Sequence, residues 1–225
     1  MTTNVAGDAL AERTLGSIAR QIPGATAVLR RHKLDFCCGG DATLGEAVRA
    51  RGDDAAKIAT ELRALAPRPA EVPEDPAALI EHILERYHET HRRELPELIL
   101  MARKVEEVHA GHPDAPRGLA SLLEHIAEAI EEHMQKEERI LFPMIRAGMG
   151  GMALGPISVM KHEHVGHGER LRELEALTHD HTPPADACTT WRALYAGTRK
   201  LVDDVMEHIH LENNVLFPQF AEGRS

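Results

Sequence analysis

From residue 76 onward, apolar residues recur every three or four positions, the period of a helix that buries one face. Leu79, Ile80, Ile83, Leu84, Tyr87, Leu95, Leu98, Ala102 and Val105 form one such stripe, predicting a helix over 76–109 with Pro96 inside it as a potential kink. The pattern resumes over 119–147, 156–178 and 185–216. Breaks fall at Ala110–Gly118, at the glycines 148, 150, 151 and 155, and at His179-Asp-His-Thr-Pro-Pro. Four long amphipathic helices with connections of about 8–10 residues predict an antiparallel bundle.

The first 66 residues carry shorter periods. After a loose tail over 1–10, one segment opens at Thr14, and Pro23 suits the first turn of a second that runs through Ala27, Val28 and Leu29. Asp35-Phe-Cys37-Cys38-Gly39-Gly40 reads as a turn, and helices begin again at Leu44 and Asp54. Between 67 and 76 stand Pro67, Pro69, Pro73 and Pro76, a density that excludes a helix. The organisation expected is all-α: a small helical domain over 1–68, a proline-rich linker over 69–76 and a four-helix bundle over 77–225.

Composition narrows the function. Aromatic residues make up only 3% of the 225, and the net charge is −10. An acidic chain lacks the basic face that tracks phosphates, so nucleic acid is an unsuitable partner. No run approaches the about 20 apolar residues of a membrane span, and no signal-peptide core opens the chain. Three cysteines, two of them adjacent, make no disulfide framework, which suits a reducing cytoplasm. Fifteen histidines are the outlier and direct attention to metal ligands.

The chemistry concentrates in a motif that occurs twice. His133-Met-Gln-Lys-Glu137-Glu-Arg-Ile-Leu-Phe-Pro143 and His208-Ile-His-Leu-Glu212-Asn-Asn-Val-Leu-Phe-Pro218 both read His-x-x-x-Glu-x-x-x-Leu-Phe-Pro. Positions i and i+4 share a helix face, so each copy directs an imidazole and a carboxylate to one point. A single His–Glu pair at this spacing is ordinarily a surface pair, but two copies with the same tail indicate a duplicated role. On the third helix His164 falls on the Ile157, Met160, Leu171, Leu174 stripe, with His167 second and His162 facing away. On the first helix His82, His88 and His91 are available, and spacing does not choose between His88 and His91.

One histidine from each of these helices gives four imidazoles and two carboxylates, a nitrogen and oxygen set suited to iron, manganese or zinc. If Glu137 and Glu212 both bridge, each of two ions has two nitrogens and two carboxylate oxygens. An oxo or hydroxo bridge makes five and leaves a sixth position for O2 or NO.

On these segments, with Arg86-Tyr-His88-Glu-Thr-His91-Arg, Leu95-Pro-Glu-Leu98, Gly155-Pro-Ile-Ser-Val-Met160 and Cys188-Thr-Thr-Trp191, residues 76–220 resemble the hemerythrin-like di-iron bundle. The whole chain resembles the bacterial iron–sulfur cluster repair proteins of the repair-of-iron-centres (ScdA/YtfE-type) family. The resemblance implies a carboxylate-bridged centre of two iron ions held by His88, His133, Glu137, His164, His208 and Glu212; it selects His88 and leaves His91, His162 and His167 without a role. It further implies repair of clusters damaged by nitrosative or oxidative stress through supply of iron, with damaged or apo iron–sulfur proteins as partners and NO or O2 as small ligands. Whether the chain turns over as an enzyme, and whether it forms a homodimer, stay open.

Arg30, Arg31 and Lys33 precede Cys37 and Cys38, and a helix start follows them, two features that favour thiolate. The pair is therefore a candidate redox or metal-handling site, set against a plain reading as reduced structural thiols. Cys188 reads as an ordinary thiol. The alternatives to repair are a hemerythrin-like carrier or sensor of O2 or NO, an NO reductase, and an unreactive metal-stabilised bundle.

Overall fold

The computed structural model describes residues 10–65, 73 and 75–221, which form helices and no strand apart from one isolated bridge between Thr14 and Thr43. The expected tail and most of the proline-rich segment lie outside the described residues.

Among the described residues, four short helices with described bounds precede the bundle: α1 (Leu15–Gln21), α2 (Ala25–Arg31), α3 (Leu44–Arg51) and α4 (Ala55–Arg63). Their starts follow side-chain chemistry. Thr14 accepts from the Ser17 N–H, Thr43 and Glu46 form a reciprocal capping box, and Asp54 accepts from the Ala56 N–H. The α2 start differs from expectation. Gly24, at φ 85°, is its N-cap, so Pro23 stands outside the first turn. A cap in the left-handed region needs glycine, and that requirement overrides the proline signal.

The bundle helices are longer and interrupted. Helix α5 begins at Pro76 behind the Asp75 cap and runs as Pro76–Ile83, a π-helical turn over Leu84–His88, and Glu89–Val108; it continues through Pro96. Helix α6 comprises Leu119–Lys136, a π turn over Glu137–Leu141 and Phe142–Arg146. Helix α7 is Leu154–Leu177. Helix α8 comprises Thr189–Leu211 and a π turn over Glu212–Leu216, followed by the short Pro218–Ala221. It starts four residues later than the apolar pattern indicated, with Cys188 at the N-cap.

The π turns of α6 and α8 explain the shared Leu-Phe-Pro tail. Pro143 and Pro218 have no N–H to give and would crowd the carbonyl four residues back. A wider turn relieves this: the Phe142 N–H reaches the Glu137 carbonyl and the Phe217 N–H that of Glu212, each five residues back.

Two apolar clusters fill the interior. One contains Leu79, Ile83, Tyr87, Leu141, Phe142, Ile157, Leu216 and Phe217 at one end of the bundle. The other joins the opposite end, with Ile126, Leu171, Leu174, Val202 and Val205, to Leu15, Ile18, Leu29, Phe36, Leu44 and Leu62 of the short helices. The short helices thus share a core with the bundle. Their docking is close: a Cβ added at Gly40 would lie 2.8 Å from both the Phe36 carbonyl and Asn214 Oδ1, and one at Gly16 would lie 2.4 Å from that same oxygen. Only glycine lets these backbones meet the Asn214 side chain.

The α7–α8 connection carries a buried histidine. His181 Nδ1 lies 2.9 Å from the Thr198 hydroxyl, and burial depresses its pKa to about 4. The ordinary value in an unfolded chain is about 6.5, so below that the unfolded state takes up a proton that the folded state refuses. Stability from this group is complete above about pH 6.5 and is lost as pH falls toward 4. His181→Asn is expected to be less stable than the parent at pH 7.5, with the gap closing by pH 5, in melting temperatures measured across that range. Parallel curves for the two proteins would refute it.

Candidate metal centre

The six candidate ligands lie between the two apolar clusters. His88, Glu137, His164 and Glu212 have no exposed surface, and His133 and His208 are 3% exposed. Their donor atoms fall into two overlapping sets, each within 4.8 Å: His88, Glu137, His208 and Glu212, and His133, Glu137, His164 and Glu212. Both glutamates belong to both sets. His88 Nε2 and His133 Nε2 stand 3.4 and 3.3 Å from different oxygens of Glu137. His164 Nε2 and His208 Nε2 stand 3.1 and 3.2 Å from different oxygens of Glu212. Exchanging α5 with α7 and α6 with α8 maps one set onto the other, which is the duplicated motif expressed in space.

Do these residues fit cations? The outer nitrogens answer first. His88 Nδ1 is 2.7 Å from Glu138, His133 Nδ1 is 2.9 Å from Glu163, and His164 Nδ1 is 2.9 Å from Asn213 Oδ1. An acceptor there keeps the proton on Nδ1 and turns the Nε2 lone pair inward. Inside, His133 Nε2 and His164 Nε2 are 3.0 Å apart, and His88 Nε2 and His208 Nε2 are 3.2 Å apart. At the His133–His164 pair both rings have such an outer acceptor, so two lone pairs face each other and need positive charge between them. The carboxylates add to the demand: both oxygens of Glu137 and Oε2 of Glu212 are buried without a hydrogen-bond partner. The residues therefore suit cations bound by nitrogen and oxygen.

The electrostatics agree. Burial and the Glu212 charge push Glu137 up, yet His133 and His88 outweigh them and hold it below the usual carboxylate range. Burial pushes Glu212 up as well, and His164 with His133 holds it low. His133 is raised to about 9 because Glu137 overcomes the opposing effect of burial. Both shared carboxylates stay ionised and draw positive charge to themselves.

The Nδ1 partners are anchored in turn. Arg92 bonds Glu138 at 2.8 Å and Lys136 bonds Glu163 at 2.6 Å. Phe142 stacks on the His88 ring with centroids 5.9 Å apart, and Phe217 on His164 at 6.1 Å. The Leu-Phe-Pro tail thus places a ring from each motif copy on the histidine of a neighbouring helix. Glu138→Gln is expected to weaken metal retention against a chelator by about 10–100-fold without unfolding the chain, as loss of such a partner typically does. Unchanged retention would show that Glu138 has no hold on the site.

Sequence spacing left His88 and His91 unresolved, and the structure brings only His88 to the donors. His91 is buried against the His208 ring at 5.6 Å, its Nε2 unpartnered and its basicity suppressed chiefly by burial. His167 is buried at 5.0 Å from the His133 ring, and burial lowers its pKa to about 2. His162 is exposed and His82 rests edge-on against Tyr87. Residue-level reasoning from spacing passed over Glu138 and Asn213 as Nδ1 partners. The available signal was their position, each directly after a shared glutamate in the two motif copies.

The thiol pair lies next to the centre. Cys38 Sγ is 3.3 Å from the His164 carbonyl, and Asn213, which receives His164 Nδ1, also donates to the Cys37 carbonyl at 3.0 Å. The expected thiolate character is overturned for Cys37. Its pKa is raised well above the ordinary value by its bond to Cys38, by burial and by Asp35. The basic residues expected to lower it are engaged elsewhere: Arg30 with Asp203, Arg31 with Glu61, and Lys33 with Asp180. Cys188 is exposed, 3.2 Å from His109 Nε2.

An interrupted four-helix bundle with four inward imidazoles and two shared carboxylates defines the class, a helical cation-binding domain. Residues 79–220 match the hemerythrin HHE cation binding domain, and residues 11–66 match the ScdA_N model, a domain of unknown function. The chain is 52% identical over 218 residues to the iron-sulfur cluster repair protein YtfE of Cronobacter sakazakii, covering 96% of this chain and 99% of that one. It is 51% identical to the YtfE of Musicola paradisiaca, covering 95% and 98%, and 49% identical to that of Citrobacter koseri, covering 94% and 98%. The chain belongs to this family of hemerythrin-domain iron–sulfur cluster repair proteins. Among the described residues no helix is long and apolar enough to cross a membrane.

Proposed function

We propose that the protein repairs iron–sulfur clusters damaged by nitrosative or oxidative stress, by supplying iron from a pair of ions held by His88, His133, Glu137, His164, His208 and Glu212. The observation that carries the reading is the sharing of both glutamates between two donor sets whose imidazole nitrogens converge. When bound, the two irons supply a redox-active centre that reacts with NO or O2. The chain's own part is to hold and to let go. Four imidazoles fix the ions, while the carboxylates give only oxygen donors at the shared positions. Iron held by nitrogen and oxygen is more readily surrendered to a thiolate-rich acceptor than iron already bound by sulfur. Glu138, Glu163 and Asn213 hold the imidazoles in the binding tautomer, and the two apolar clusters keep bulk water from the centre.

The cytoplasm, where reduced thiols persist, is the proposed location, and damaged or apo iron–sulfur proteins are the proposed partners. The test is cluster restoration in an NO-treated iron–sulfur protein, followed by its recovered visible absorption under anaerobic conditions. Iron-loaded protein is expected to restore absorption and iron-stripped protein to fail. Equal restoration by both would overturn iron supply.

A further inference from the structure

We propose that Asp35, Cys37 and Cys38 form a second, separate metal site, a tetrahedral three-ligand position for a divalent cation with its fourth position open. The three donor atoms lie within 4.8 Å of one another. An ion with bonds of about 2.3 Å to sulfur and about 2.0 Å to oxygen at tetrahedral angles holds two sulfurs about 3.8 Å apart, and a sulfur and an oxygen about 3.5 Å apart. Here the two Sγ atoms are 3.8 Å apart, and Cys37 Sγ is 3.3 Å from Asp35 Oδ1. The loop is fixed in this shape by the Cys38 N–H, which donates to Asp35 Oδ1 at 2.9 Å. Asn213 and Asn214 hold it from outside through the Cys37 and Phe36 carbonyls. The arrangement therefore needs little rearrangement to bind. Entry of the cation releases the two thiol protons and leaves two thiolates and one carboxylate on it.

Three protein ligands and an open position mark a site that exchanges rather than a closed structural one. Asp35 and Cys37 both line a cavity of about 560 Å³ between the short helices and the bundle, which the fourth position can face. The Cys38 contact with the His164 carbonyl places the site against a proposed ligand of the bundle centre. Resting on the iron-supply reading, the site is a stopping place for iron on its way out, where oxygen and nitrogen donors give way to thiolates like those of the acceptor.

Cobalt(II) added to the reduced, full-length, metal-free protein tests this, because a cobalt–thiolate bond produces an intense near-ultraviolet charge-transfer band that imidazole and carboxylate do not. Three equivalents are expected, one of which develops that band. Cys37→Ser/Cys38→Ser should bind two and show no band, its remaining visible cobalt spectrum reporting an intact bundle. Asp35→Asn should keep the band and bind that cobalt at least tenfold more weakly. Two equivalents without the band in the parent protein would overturn the site, as would a band that survives in the double-serine variant. A band with only one equivalent bound would leave this site standing and refute the bundle centre instead, so the two readings fail separately.

Discussion

Glu137→Ala and Glu212→Ala are each expected to reduce the metal held by the bundle from two ions per chain to close to none, whereas His88→Ala and His164→Ala should each retain one there. The difference follows from the sharing. Every imidazole belongs to one donor set, but each glutamate belongs to both. Removing one histidine leaves the other set with its two imidazoles and two carboxylates. Removing Glu137 leaves both sets with one carboxylate, and leaves the facing pairs His133–His164 and His88–His208, 3.0 and 3.2 Å apart, with less negative charge to bring a cation between them. Metal content after anaerobic loading and desalting, measured in the Cys37→Ser/Cys38→Ser background so that the thiol pair adds no ion and read with the visible spectrum, distinguishes the patterns. A glutamate variant that keeps two ions and an unchanged spectrum would refute the shared arrangement.

The same sharing explains what could be read from the sequence. The four bundle helices followed from the 3.6-residue period, and the His–Glu pairs followed from the repeated motif. The choice between His88 and His91 did not follow, for a specific reason. The π turn over Leu84–His88 inserts extra chain between the stripe at Leu79, Ile80 and Ile83 and the residues beyond it. Extrapolating a 3.6-residue stripe across a wider turn misplaces its phase by about one residue, or roughly 100°. A periodicity argument cannot see such a turn, although the prolines behind those of α6 and α8 hint at two of them. The docking of the short helices was hidden for another reason: its contacts run between side chains and backbone carbonyls distant in sequence, as from Asn213 and Asn214 to Cys37 and Phe36. Yet the motif copies diverge just there. Asn213 and Asn214 stand where the first copy has Glu138 and Arg139. Glu138 faces His88 with a charge, while Asn213 faces His164 with an amide whose NH2 remains free to hold the cysteine loop. Proximity of Arg30, Arg31 and Lys33 in sequence does not make Cys37 a thiolate, because Asp203, Glu61 and Asp180 engage them from distant parts of the chain.

A substitution at a shared glutamate is expected to cost far more stability with metal bound than without it. Glu212 is fully buried, lies 3.1 Å from His164 and 3.2 Å from His208, and has one oxygen without a hydrogen bond. Removing a carboxylate from water costs several kcal/mol, which only strong pairing offsets. In the metal-free chain His164 and His133 supply that pairing and hold Glu212 ionised. Removing one partner of a buried ion pair commonly costs about 3–5 kcal/mol, and in a chain of this length each kcal/mol moves the melting temperature by about 2–4 °C. Metal-free Glu212→Met should therefore melt about 6–20 °C below the metal-free parent. With metal present the gap widens, because binding free energy is added to folding free energy and the variant has forfeited a ligand common to both ions. The margin should grow with free metal concentration. Thermal scans of both proteins, after chelation and after loading, supply the four values. An equal gap in both states would mean that Glu212 is a structural carboxylate rather than a metal ligand. A gap that widens with free metal is expected only of a group that ligates the cation.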